Sequence, residues 1–86
     1  MASTPVITVL YFAAVRDAIG KGEERLVLPA EVTTVAELSR FLENRHPALA
    51  GRLGSVRYAV NEVFAALEAP LAAGDVVAVI PPVSGG

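Results

Sequence analysis

The stretch Thr34-Val35-Ala36-Glu37-Leu38-Ser39-Arg40-Phe41-Leu42-Glu43-Asn44-Arg45-His46-Pro47 decides the fold. Thr34 followed three residues later by Glu37 is a capping box, in which a hydroxyl oxygen and a carboxylate each satisfy an N–H that the first helical turn leaves unpaired. Val35, Leu38, Phe41 and Leu42 then recur at helical spacing and give one apolar face. Pro47 stops the helix, and His46 before it is biased away from helical geometry. A single amphipathic helix of this length must lay its apolar face on something, and the rest of the chain reads mainly as strands.

On the N-terminal side, residues 6–12 are rich in β-branched and aromatic side chains and read as a strand buried on both faces or nearly so. Residues 13–19 change to alanines with Arg16 and Asp17, a short helix stopped by Gly20. Gly20-Lys21-Gly22 is a turn. Residues 23–28 form a second strand, antiparallel to the first, with Leu26 and Leu28 on one face and Pro29 ending it. On the C-terminal side, residues 48–55 read as a loop marked by Gly51 and Gly54. Val56, Tyr58 and Val60 alternate with Arg57 and Ala59 as a half-buried strand, and Asn61-Glu62 turns into residues 63–65. Residues 76–80 are an unbroken apolar run, short enough to be a central strand. Two strands, a helix, then two or three strands predict an α+β domain of the ubiquitin-like β-grasp type: a mixed sheet of four to five strands crossed by one main helix. The domain is expected over residues 1–82, with residues 83–86 as a flexible tail.

Eighty-six residues suffice for one small domain and leave little room for an enclosed substrate cleft. The net charge of −2 comes without a basic stripe, which argues against nucleic-acid binding. Arg40, Arg45, Arg52 and Arg57 are interleaved with Glu37 and Glu43 and read as a solvated face. No stretch is long and apolar enough to cross a membrane and no secretory leader is visible, so a cytoplasmic protein is expected. The side chains offer no catalytic set. There is no cysteine, and His46, the one histidine, reads as a surface residue ending the helix. Glu23-Glu24 reads as a solvated pair on a strand edge. No metal or cofactor is expected on the chain.

The end of the chain is different. Pro81-Pro82 stiffens the exit from the last strand and fixes its direction. Val83-Ser84-Gly85-Gly86 follows, and two residues without a Cβ let another protein's backbone approach closely. A carrier whose terminus is threaded into a narrow active site needs that combination. An ordinary disordered terminus is the competing explanation.

The run Val79-Ile80-Pro81-Pro82-Val83-Ser84-Gly85-Gly86 resembles the tail of the small subunit of molybdopterin synthase, a sulfur-carrier family. Leu10-Tyr11-Phe12-Ala13-Ala14-Val15-Arg16 with Gly20, Val60-Asn61-Glu62 and Leu71-Ala72-Ala73-Gly74-Asp75 resemble it as well, so the likeness spans nearly the whole chain. It departs at Val79-Ile80, where relatives often carry aromatics. The resemblance implies a non-catalytic sulfur-donor subunit in which Gly86 is the covalent site and Gly85 gives clearance beside it. A partner adenylating enzyme would use ATP to activate Gly86, a sulfur donor would convert it to a thiocarboxylate, and the sulfur would pass to a cyclic pyranopterin precursor in a large catalytic subunit. Pro81, Pro82, Val83 and Ser84 would lie in that partner, Phe12, Arg16 and Ile80 would form the docking surface, and the assembly would be a heterotetramer. For Phe12 and Ile80, plain core packing is the alternative. The same fold also serves sulfur carriers for thiazole or cysteine synthesis and ubiquitin-like protein modifiers.

Overall fold

A computed structural model of the chain describes residues 5–82. Five strands and two helices follow in the order β1 (Val6–Tyr11), α1 (Ala13–Ile19), β2 (Glu23–Val27), α2 (Val35–Arg45), β3 (Arg57–Val60), β4 (Val63–Ala65) and β5 (Val76–Ile80). They form one mixed sheet in the order β2-β1-β5-β3-β4. The first and last strands, β1 and β5, lie parallel at its centre, and the other pairings are antiparallel. This is the expected ubiquitin-like β-grasp.

The capping box at the start of α2 is formed. The Thr34 hydroxyl accepts from the Glu37 N–H at 3.3 Å, and the Glu37 carboxylate accepts from the Thr34 N–H at 3.1 Å. Hydrogen bonds from Thr33 and Thr34 hold that carboxyl below its usual range. Val35, Leu38 and Leu42 of α2 are fully buried against Ile7, Val9, Tyr11, Val77 and Val79 of the two central strands. Phe41 packs on the margin of this core.

Gly20 closes α1 with a left-handed backbone, φ 89°, where a Cβ would be strained. The β3–β4 turn has positive φ at both Asn61 (51°) and Glu62 (72°), the conformation that two-residue hairpins favour. Asn61 is further fixed by its side chain, which donates to Asp75 at 3.0 Å and accepts the Val76 N–H at 2.9 Å.

Three expectations need correction. Residues 6–12 are not buried on both faces: Ile7, Val9 and Tyr11 are buried while Val6, Thr8 and Leu10 are half-exposed, because α2 covers only one side of the sheet. The strand also ends at Tyr11, with Phe12 capping α1. Residues 48–55 are not a plain loop; two 3-10 turns, Pro47–Leu49 at their start and Leu53–Ser55 at their end, bury Leu49 and Leu53.

Candidate functional site: the end of the sheet where the last strand exits

The parallel pairing of β1 and β5 brings two distant segments to one end of the molecule. Tyr11 lies opposite Val79, so Phe12 and Ile80 leave the sheet side by side. Sequence alternation then sorts them: Tyr11 and Val79 face the helix and are buried, while Phe12 and Ile80 do not. Phe12 is 43% exposed, which removes the core-packing alternative for it, and Ile80 is half-buried. The residue after Phe12, Ala13, has φ 49°, a left-handed turn that costs a non-glycine residue on the order of 1 kcal/mol or more.

The uncovered face of the sheet continues this surface. Leu10, Ala78, Ala59 and Phe64 form a row across β1, β5, β3 and β4, with alanines in the middle and larger side chains at the margins. Beside that row, Ile80 lies opposite Arg57. Ser55, Arg57, Phe64, Ile80, Pro81 and Pro82 line a shallow depression at the root of the exit. The Arg57 guanidinium stands 5.8 Å from the centre of the Phe64 ring, within cation–π range. Pro81 is half-buried and Pro82 exposed.

Arg16 sits on the exposed side of α1. Its N–H donates to Phe12 O at 3.3 Å, and its aliphatic stem lies beside Gly22, where a Cβ would stand 3.4 Å from Arg16 Cδ. The structure therefore places Phe12, Arg16, Ile80, Pro81 and Pro82 at one end of the molecule. Val83, Ser84, Gly85 and Gly86 lie outside the described residues.

The sequence reading missed a second feature of this end. Glu24 is not solvated: although β2 is an edge strand, Glu24 faces inward with Leu26 and is 8% exposed. Its Oε1 accepts from the Tyr11 hydroxyl at 2.7 Å and lies 2.7 Å from His46 Nε2; its Oε2 accepts from Arg45 Nε at 2.9 Å. Lys21 Nζ stands 3.7 Å from Oε2. Burial raises the carboxyl's pKa, but the hydrogen bonds from His46, Tyr11 and Arg45 outweigh it and hold it at about 2. Burial, with the adjoining carboxylate, pushes the Tyr11 phenol upward, so it stays a donor. His46 and Arg45 are thus not free surface residues but ligands of a buried carboxylate. The spacing of Glu24 with Leu26 and Leu28 was the available signal. Among the described residues no group of three or more His, Cys, Asp or Glu side chains could hold a metal ion. None of the described helices is long and apolar enough to cross a membrane.

Comparison with known proteins bears on the family and the fold. The ThiS family profile matches residues 9–86. The molybdopterin synthase sulfur carrier subunit of Mycobacterium tuberculosis is 39% identical over 80 residues, covering 93% of this chain and 96% of the relative. SAMP1 from Haloferax volcanii, a small archaeal modifier protein, superposes with a TM-score of 0.82 at 30% identity, over 94% of this chain and 99% of that one. A chain of the protein–protein complex of subunits 1 and 2 of the molybdopterin-converting factor of Helicobacter pylori superposes with a TM-score of 0.66 at 27% identity, over 94% of this chain and 99% of that one.

Proposed function

The chain belongs to the ThiS family, and from that membership we propose that it is a sulfur carrier for molybdopterin synthesis, with the carboxylate of Gly86 as its reactive group. The observation that carries this reading is the placement of β5. The central strand ends beside Phe12 at the uncovered end of the sheet, and Pro81-Pro82 leads the chain on from there towards Gly85 and Gly86. The likeness to the M. tuberculosis sulfur carrier subunit supports the cargo, and the likeness to the H. pylori complex supports a protein partner.

In this reading the partner supplies the catalysis. A Gly86 carboxylate oxygen attacks the α-phosphorus of ATP in an adenylating enzyme; pyrophosphate leaves and an acyl-adenylate forms. Sulfide supplied by a donor then adds to the acyl carbon and AMP departs with the acyl–oxygen bond broken, leaving a thiocarboxylate. The sulfur passes to a pyranopterin precursor in a large subunit, and water returns Gly86 to the carboxylate. This chain contributes three things: an end group free of steric bulk, because Gly85 and Gly86 carry no Cβ; a fixed exit direction from Pro81-Pro82; and a docking surface of Phe12, Arg16 and Ile80, with Val83 and Ser84 in the partner's channel. With no cysteine in the chain, no thiol of its own competes with sulfide for the acyl-adenylate.

Intact mass after incubation with ATP, an adenylating enzyme and sulfide tests the reading. The expected result is one oxygen exchanged for sulfur, absent in a chain lacking Gly86. An unchanged mass, with the enzyme active on another carrier, overturns it. The likeness to SAMP1 supports a second reading, a protein modifier. An adduct joined through Gly86 to a lysine of another protein would select that one.

A further inference from the structure

Among the described residues Glu24 is the one charged side chain that is buried. Taking a carboxylate out of water is expensive, and a hydrophobic residue of similar volume often serves stability as well or better. A charge kept there, even where its bonds make it stabilising, invites a role beyond stability. The bonds it makes suggest one.

Both oxygens are used, each on two groups. Oε1 holds Tyr11 from the end of β1 and His46 from the end of α2; Oε2 holds Arg45, also from α2, and faces Lys21 in the turn between α1 and β2. Tyr11, Lys21 and His46 each lead to part of the proposed docking surface. Tyr11 immediately precedes Phe12 and lies opposite Val79, the neighbour of Ile80. Tyr11 N–H donates to Gly22 O at 2.9 Å, and Gly22 lies against the Arg16 stem. The 3-10 turn Pro47–Leu49, which follows His46, packs on α1. The carboxylate therefore ties the end of α2 and the α1–β2 turn to the strand end that presents Phe12 and Ile80.

We propose that Glu24 is a positioning residue for docking: through Tyr11, Lys21, Arg45 and His46 it fixes how Phe12, Arg16 and Ile80 are presented to the protein that receives the tail. This rests on the carrier reading above. Glu24 touches neither sulfur nor partner in this proposal and acts only through those four side chains.

The variants that test it separate stability from positioning. Glu24→Leu keeps the volume apolar and removes every bond of the hub. Glu24→Gln keeps an acceptor for Arg45 and an amide that the Tyr11 hydroxyl and a His46 ring nitrogen can both accept from. Thiocarboxylate formation is measured against carrier concentration, below the melting midpoint of every variant. The expected result for Glu24→Leu is a KM for the carrier raised about fivefold or more, with kcat within about a factor of two, and most of the loss recovered in Glu24→Gln. A folded Glu24→Leu chain with the wild-type KM overturns the proposal and leaves Glu24 a structural residue. If Glu24→Leu does not fold, Tyr11→Phe, which removes only one donor, must still raise KM with kcat held; an unchanged KM there also overturns it. If wild-type Gly86 never gains sulfur, the carrier reading fails by itself. The hub is then judged by the amide NMR shifts of Phe12, Arg16 and Ile80 in Tyr11→Phe, which must move for the proposal to stand.

Discussion

Tyr11 and Phe12 are adjacent, as are Val79 and Ile80, yet each pair is divided between two environments. Tyr11 and Val79 point under α2 and are essentially inaccessible; Phe12 is 43% exposed and Ile80 half-buried on the side that no helix covers. Period-two alternation produces the division, and the parallel pairing of the first and last strands aligns the two pairs. The apolar side chains of the covered face are committed to stability. The uncovered face keeps apolar area that folding does not use, next to the exit of the chain. Position on the sheet, and not residue type, separates the structural hydrophobes from those available for docking.

The largest expected effect comes from the charge on the covered side. Glu24 has a folded-state pKa of about 2 against an ordinary 4.5. A depressed carboxyl contributes stability that is fully present above the unfolded value and is lost as pH falls through the folded one. The contribution, on the order of 3 kcal/mol at neutral pH, should therefore decline from about pH 4.5 towards pH 2. Urea midpoints of wild type and Glu24→Gln should differ most at pH 6 to 7 and converge only as the pH falls below about 2. A gap that stays constant with pH would mean that the carboxylate's charge contributes nothing.

Next in size is the contrast between neighbours. Val79→Ala removes two methyl groups from a fully buried position and should cost roughly 2 kcal/mol in denaturant unfolding, from lost transfer energy and the cavity left behind. Phe12→Ala should cost under about 1 kcal/mol of stability, while weakening binding to the adenylating enzyme about tenfold or more, as an aromatic interface anchor does. Calorimetry of folding and of binding on both variants checks the division. Equal losses of stability would erase the distinction between the faces.

Most of this fold was legible locally. The capping box at Thr34 and Glu37, the stop at Gly20 and the turn at Asn61-Glu62 each depend on a few consecutive residues, and each occurs where expected. The apolar run of residues 76–80 marked a central strand for the same reason. The Glu24 hub was not legible because its partners lie 13, 21 and 22 residues away. Periodicity can place Glu24 on the inner face, but it cannot supply the donors that make such burial tolerable. The 3-10 turns at Pro47–Leu49 and Leu53–Ser55 are too short to leave a periodic signal. The exposure of Phe12 depends on where β1 stops, which a run of strand-forming residues does not mark.

The smallest effect expected concerns a second phenol on the covered side. Tyr58 lies opposite Val79 and is as buried as Tyr11, but its hydroxyl, with Ser39 beside it, makes no hydrogen bond of good geometry among the described residues, whereas the Tyr11 hydroxyl donates to Glu24 at 2.7 Å. Removing a hydroxyl that makes a bond to a charged acceptor costs about 1.5–3 kcal/mol; removing one that makes none costs nothing and can relieve the burial of an unpaired polar atom. Tyr58→Phe should therefore leave the melting temperature unchanged or raise it slightly, while Tyr11→Phe lowers it. The pair isolates the hydrogen bond, since both substitutions keep the ring and its packing. A loss from Tyr58→Phe as large as that from Tyr11→Phe would show that burial of the ring environment, and not the bond to Glu24, sets the value of a phenol on this face.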